Sequence, residues 1–303
     1  MLVIMPNNLE RFQRHEIPGR VKIASGNGGL PKVLVTTKNS AAEIYLHGAH
    51  VAHFQKHGEP PLIFMSRNSH FADGKPIRGG VPICFPWFGN RDGEPSHGFA
   101  RIAEWELVKT SATNDAVTLR FALPQIPGRE AWKNLRTEFS VTVADTLTME
   151  LAAANESCDA AIEFEACLHT YFQVGDIGAV SITGLENAAY LNFAGGDTGT
   201  RKPAENAAIK IQRETNRTYL DTTSPVEIRD DNLKRILRVE KSGSKSTVVW
   251  NPWTTQKMPE DWGANEHLNM VCVESGNVKS NKLSLAPGQS AALKVVLSSE
   301  NSS

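Results

Sequence analysis

From Val21 onward, apolar and polar residues mostly alternate with a period of two, the spacing that turns one face of a strand to a core and the other to solvent. Short runs of this kind, KVLVTT (32–37), AEIYLHGAHVAHF (42–54) and PLIFM (61–65), are separated by Gly, Pro, Asn and Lys. The pattern resumes in VTLRFAL (117–123), in FSVTVADTLTMELAAAN (139–155), where Asp145 and Thr146 are placed for a hairpin turn, and in IEFEACLHTYFQV (162–174). Further strands are expected in VSITGL (180–185), AIKIQ (208–212), VEIRD (226–230), TVVWN (247–251), MVCVES (270–275) and LSLAPGQSAALKVVLS (283–298). No long amphipathic helix competes, so the expected fold is all-β, a large antiparallel sandwich or barrel. The polar SSENSS that closes the chain is expected to fray.

One stretch breaks the alternation. IRGGVPICFPWFGNRDGEPSHGFAR (77–101) carries five glycines that permit turns or close backbone approach, and prolines that rule out a helix or a central strand. It reads as a long ordered loop, and such a loop inside a sandwich points to function. Arg78 and Arg101 supply planar forks suited to phosphate or carboxylate, and Phe85, Trp87, Phe88 and Phe99 supply faces suited to a sugar ring or to packing of the loop itself.

At 303 residues a single domain spanning 1–303 is expected, with the sandwich over about 20–298. The formal net charge is -1 with Lys and Arg scattered along the chain, so neither nucleic acid nor an anionic membrane is an expected partner, and anion recognition has to be local. Cys84, Cys158, Cys167 and Cys272 form no CxxC pair, and most sit in apolar runs where a thiol packs as a small hydrophobe. The opening MLVIMPNNLE lacks a basic n-region, its apolar run stops at Pro6, and no run approaches the ~20 apolar residues of a membrane span. The expectation is a cytoplasmic protein in a reducing compartment.

In IEFEACLHTYF read as a strand, Ile162, Phe164, Ala166, Leu168, Thr170 and Phe172 face one way, and Glu163, Glu165, Cys167, His169 and Tyr171 the other. His169 thus shares a polar face with two carboxylates, which would hold it protonated near neutral pH as a general acid. Glu274 ends the apolar MVCVES, where a carboxylate has to be paired, solvated or functional. WNPW (250–253) offers two indoles, of which at least one is expected in the core. The cluster His47, His50, His53 and His57 is not a zinc site on a strand, because His50 and His53 fall on opposite faces and no Cys or acid completes the set. GNGG (26–29) precedes a strand and reads as a turn, not a nucleotide fingerprint, and GxSxG, HExxH and P-loop motifs are absent.

Five blocks in order, IRGGVPICFPWFG (77–89), HGFAR (97–101), the LHTYF around His169, VVWNPW (248–253) and NMVCVES (269–275), resemble the glucose-6-phosphate 1-epimerase (hexose-6-phosphate mutarotase) family, a branch of the aldose 1-epimerase superfamily. The resemblance implies a galactose mutarotase-like supersandwich with its site on the concave face, and no metal or organic cofactor. It implies anomer exchange on a hexose 6-phosphate by a protein expected to be a monomer, with His169 as general acid and Glu274 as general base. Arg78, Ser96, His97, Arg101 and Asn216 are the implied substrate ligands. Ser96 stands where some members carry glutamine, and Asn216 in TNRTY stands where the family commonly has aspartate, an amide that keeps a hydrogen bond but loses a charge.

Overall fold

Alternation in the sequence becomes alternation in burial. The strand Leu135–Val143 buries Leu135, Thr137, Phe139, Val141 and Val143, and its hairpin partner Leu147–Asn155 buries Leu147, Met149, Leu151, Ala153 and Asn155. The computed structural model describes residues 9–302, so most of the MLVIMPNNLE stretch and the final serine lie outside the described residues.

Two eight-stranded antiparallel sheets, a four-stranded N-terminal sheet and a two-stranded pair make up the fold. One large sheet carries Leu135–Val143, Leu147–Asn155, Arg235–Ser242 and Ser290–Asn301 at its centre. The other places Thr215–Leu220, Ser246–Asn251, Met270–Asn277 and Ala166–Leu168 side by side. Leu168, Phe172, Val249, Val271 and Val273 of the second sheet join Phe139, Met149, Leu237, Val295 and Leu297 of the first in one buried apolar cluster. Each such side chain taken from water contributes about 1.5–3 kcal/mol, which fixes the register of the second sheet. Period two then turns the intervening residues Trp250, Cys272 and Glu274 to the opposite face, away from the sandwich core. Among the described residues no helix is long and apolar enough to cross a membrane.

The expected all-β antiparallel sandwich is present, with departures that have local causes. AEIYLHGAHVAHF splits into Ser40–Tyr45 and His50–Lys56 because the chain turns at Gly48 (φ 73°), whose Cβ position would lie 2.7 Å from the carbonyl oxygen of Arg101. PLIFM forms isolated bridges from Ile63 to Phe172 and from Met65 to Gly79, and AIKIQ only one, Ile209 to Ile182. Ile209 and Ile211 are buried, so side-chain packing anchors that segment without a ladder. The run 162–174 breaks into Ile162–Phe164, Ala166–Leu168 and Tyr171–Gln173, yet its two faces persist across the breaks. Up to Asn301 the C-terminal tail does not fray: Ser298, Ser299, Glu300 and Asn301 continue the strand Ser290–Asn301, paired with Arg238, Leu237, Ile236 and Arg235. The neighbouring strand is long enough to satisfy their backbone, which outweighs their polarity.

Candidate active site

The long loop is held by backbone contacts that its glycines make possible. A Cβ on Gly98 (φ 78°) would meet the Phe85 carbonyl oxygen at 2.0 Å, and one on Gly80 would meet His50 Nε2 at 2.1 Å. The amide of His97 donates to Gly89 O at 2.7 Å, the Tyr171 amide donates to Gly80 O at 3.0 Å, and the His169 amide donates to Pro82 O at 3.0 Å. The loop thereby continues the second sheet at its edge, where Ile83 and Cys84 pair antiparallel with Leu168 and Cys167. Phe85, Trp87 and Phe99 serve packing: Phe85 lies edge-on to Phe164 and Trp87 edge-on to Phe99. Phe88 instead joins the wall of the cavity formed between loop and sheet.

That cavity has a volume of about 500 Å³, in the range of small-molecule sites. All seven residues named from the sequence line it: Arg78, Ser96, His97 and Arg101 from the loop, His169, Asn216 and Glu274 from the sheet. Trp250 lines it as well, while Trp253 packs against the core. The histidines of 47–57 do not converge: His47 Nε2 meets Lys75 O at 2.7 Å, His50 is buried elsewhere, His53 is half-buried, and His57 turns to Thr37 O.

His169 and Glu274 stand side by side at the cavity floor, with Nε2 and Oε1 3.3 Å apart. The imidazole stacks on Tyr171 at 4.8 Å and 12°, with the edges of Trp250 and His97 against it. Glu274 is 1% exposed, and its Oε2 accepts from Cys167 Sγ at 3.6 Å. Gly276 lets the strands close here, since a Cβ would meet Ala166 O at 2.6 Å. Burial pushes the Glu274 carboxyl well above the usual carboxylate range, only partly offset by the Cys167 contact. Burial and the positive charges of Arg101 and Arg78 push His169 down to about 3.

The expected imidazolium is therefore corrected for the protein's own groups. Of the two carboxylates assigned to the same face, Glu163 is exposed and paired with Lys282 at 2.7 Å. Glu165 is spent on backbone, accepting from the amides of Lys279 at 2.6 Å and Phe88 at 2.9 Å. Neither reaches the imidazole as an ion-pair partner, so desolvation wins, lowering the imidazole and raising the carboxyl of the pair.

Three cations reach the cavity. Arg78 Nε is shared between both carboxylate oxygens of Asp261, each at 3.2 Å, so its charge is largely matched. Arg101 donates from Nη2 to Ser96 O at 2.6 Å, and its buried Nε has no hydrogen-bond partner among the described residues. Lys279, which the sequence reading did not single out, lines the wall with Nζ 5.3 Å from the Phe193 ring centre. Its φ of 59° and the Glu165 contact to its amide fix the chain at that point. Burial pushes His97 well below its ordinary value, and Arg101, His169, Arg78 and Lys279 add to the effect, so it enters the site neutral. Its Nδ1 accepts from the Gly89 amide at 3.3 Å.

A family profile described as Aldose 1-epimerase matches residues 31–298. A protein of Cenchrus ciliaris named "Putative glucose-6-phosphate 1-epimerase" is 32% identical over 287 residues, covering 91% of this chain and 86% of its own. One of the same name from Escherichia coli K12 is 32% identical over 258 residues, covering 81% and 83%. The crystal structure of a "putative mutarotase" from Salmonella typhimurium superposes with a TM-score of 0.83 at 25% identity, over 95% of this chain and 96% of that one. The galactose 1-epimerase of Lactobacillus acidophilus shares the fold, with a TM-score of 0.72 at 12% identity over 94% and 99%. With the profile spanning most of its length and relatives matching nearly end to end, this chain belongs to the aldose 1-epimerase family and is an epimerase of that class.

Proposed function

We propose that this epimerase interconverts the α and β anomers of an aldohexose 6-phosphate, glucose 6-phosphate above others, in the cytoplasm. The observation that carries the reading is a single cavity holding a touching His–Glu pair together with Arg101, a buried guanidinium with an uncommitted Nε. A buried donor without a partner is costly, and a phosphate oxygen is the ligand that removes the cost. Two relatives carry glucose 6-phosphate in their names. The buried free thiols Cys84, Cys167 and Cys272 suit a reducing compartment.

In the chemistry, Glu274 takes the proton of the C1 hydroxyl as His169 gives one to the ring oxygen, and the C1–O5 bond breaks to leave an open-chain aldehyde. The pair then stands as neutral imidazole and carboxyl. Rotation about C1–C2 turns the other face of the carbonyl to O5. On closure Glu274 returns its proton to O1 and His169 recovers one from the O5 hydroxyl. No proton is lost to solvent, and each group resets to its starting state.

The cyclic sugar thus needs imidazolium and carboxylate, whereas the protein's own field favours the opposite placement. A phosphate dianion set against Arg101 cancels part of the positive field that depresses His169. The phosphate then supports the starting protonation state as well as tethering C1 above the pair. Acid and base at roughly 10²- to 10⁴-fold each suffice for a reaction that already proceeds in water. Asn216 and Thr218 present hydroxyl-binding groups from the sheet, and the amide in place of a carboxylate bears on which hexose is preferred.

A second reading, anomer exchange on an unphosphorylated aldose with the arginines ordering the loop, draws on the Arg78–Asp261 and Arg101–Ser96 contacts. Coupled anomer-exchange rates on glucose, galactose and mannose 6-phosphates, with free glucose alongside, separate the two. The phosphate reading expects the 6-phosphates to be turned over far better than glucose, and equal kcat/KM with and without the phosphate would overturn it.

A further inference from the structure

A third titratable side chain stands within reach of the pair and has no part in the proton transfers above. Cys272 and Glu274 lie two residues apart on the strand Met270–Asn277 and share one face, and Tyr171, two residues beyond His169, pairs across the sheet with Cys272. Ligand atoms of His169, Cys272 and Glu274 all lie within 4.8 Å of one another, and all three side chains are buried. Imidazole, thiol and carboxyl are the donor types zinc takes where three protein ligands leave a fourth position open.

We infer that His169, Cys272 and Glu274 form a binding site for a thiophilic divalent cation, zinc foremost, and that the bound ion occupies the acid–base pair. Tetrahedral zinc, with bonds of about 2.0–2.3 Å, holds its donor atoms roughly 3.3–3.7 Å apart. His169 Nε2 and Glu274 Oε1, at 3.3 Å, already stand at that spacing. With all three donor atoms within 4.8 Å of one another, the sulfur has to close by at most roughly 1.5 Å, within the rotation of one side chain. His169 and Glu274 both line the cavity, which gives the ion a way in, while Cys272 is fully buried and does not line it.

The charge balance answers the obvious objection, that Arg78 and Arg101 would repel a cation. Burial favours the protonated forms of the Cys272 thiol and the Glu274 carboxyl. As the ion enters, each gives up one proton, so a dication replaces two protons and the net charge felt by the guanidinium groups is unchanged. Affinity accordingly rises with pH. This differs from His47 and His57, whose rings point to separate backbone carbonyls.

The existence of the site does not depend on the proposed substrate, and only its inhibitory consequence rests on the acid–base reading. The test is titration of the full chain with zinc chloride against a chromophoric chelator, and with cobalt chloride followed by its thiolate charge-transfer absorption. The expected result is one ion per chain, release of about two protons on binding, and a thiolate band. Affinity should fall at least about tenfold in Cys272→Ser and in His169→Asn, and stay unchanged in Cys158→Ser, which removes the exposed thiol. Zinc-loaded protein should lose anomer exchange and recover it with a chelator. Binding no tighter than millimolar, binding undiminished in Cys272→Ser, or loss only in Cys158→Ser would overturn the site.

Discussion

Replacing Glu274 with glutamine should cost the protein its chemistry and make its fold more tolerant of base, and the size of the second effect follows from counting protons. In the folded chain, burial holds Glu274 well above its ordinary 4.5, and burial with Arg101 and Arg78 holds His169 at about 3 instead of 6.5. A raised carboxyl stabilises the fold below its unfolded value and loses that contribution as pH rises. A lowered imidazole stabilises the fold above its unfolded value and loses that contribution as pH falls toward 3. Between the two ordinary values, 4.5 and 6.5, folded and unfolded chains each bind one proton at these residues, and the contributions cancel. Above 6.5 the unfolded chain has none, while the folded chain keeps one on Glu274 for as long as the pH stays below that carboxyl's raised value. Stability then falls by about 1.4 kcal/mol per pH unit until the folded carboxyl ionises. Glu274→Gln removes the carboxyl's contribution and leaves the other groups to cancel in the difference from wild type, so from pH 4.5 upward the variant gains about 1.4 kcal/mol per unit on wild type until the folded carboxyl ionises. Urea unfolding of both proteins at several pH values measures this, and anomer exchange should drop by roughly 10²- to 10⁴-fold. Parallel stability curves would show that Glu274 is ionised in the folded protein and refute the protonation argument.

Lys279→Ala should raise KM for glucose 6-phosphate at least about tenfold while leaving the slow turnover of free glucose unchanged, because one cation of the cavity is lost and the acid–base pair is not; equal losses on both substrates would assign Lys279 to loop structure. Gly98→Ala should destabilise the fold by more than about 1 kcal/mol in urea unfolding, since it combines a left-handed φ with a Cβ driven onto the Phe85 carbonyl oxygen. An unchanged midpoint would mean that the loop can part from Phe85 at no cost.

The parts of the site written by local pattern were legible, and those written by distant partners were not. Period two put His169 and Tyr171 on one face, and both line the cavity even though the strand is broken around them. Glycines and prolines marked the loop, since backbone freedom is a property of residue type. Thr215–Leu220 is a strand that the pattern hides: one face lines the polar cavity, so TNRTYL carries too few apolar residues to stand out. Lys279 looks like any surface lysine until Glu165, distant in sequence, anchors its amide. Asp261 is likewise unreadable without Arg78 beside it. The protonation of His169 was misjudged for the same reason: residue spacing assigns Glu163 and Glu165 to its face but does not show that their charges are engaged elsewhere.

The central claim is that one buried pair carries the proton through ring opening and closure. Exchange spectroscopy on the anomeric protons of glucose 6-phosphate tests it most directly, with wild type compared to His169→Asn and Glu274→Gln. Exchange between the α and β signals should be fast with wild type and fall by roughly 10²- to 10⁴-fold with either variant while both still unfold cooperatively. Exchange persisting near the wild-type rate in a folded His169→Asn or Glu274→Gln protein would contradict the account.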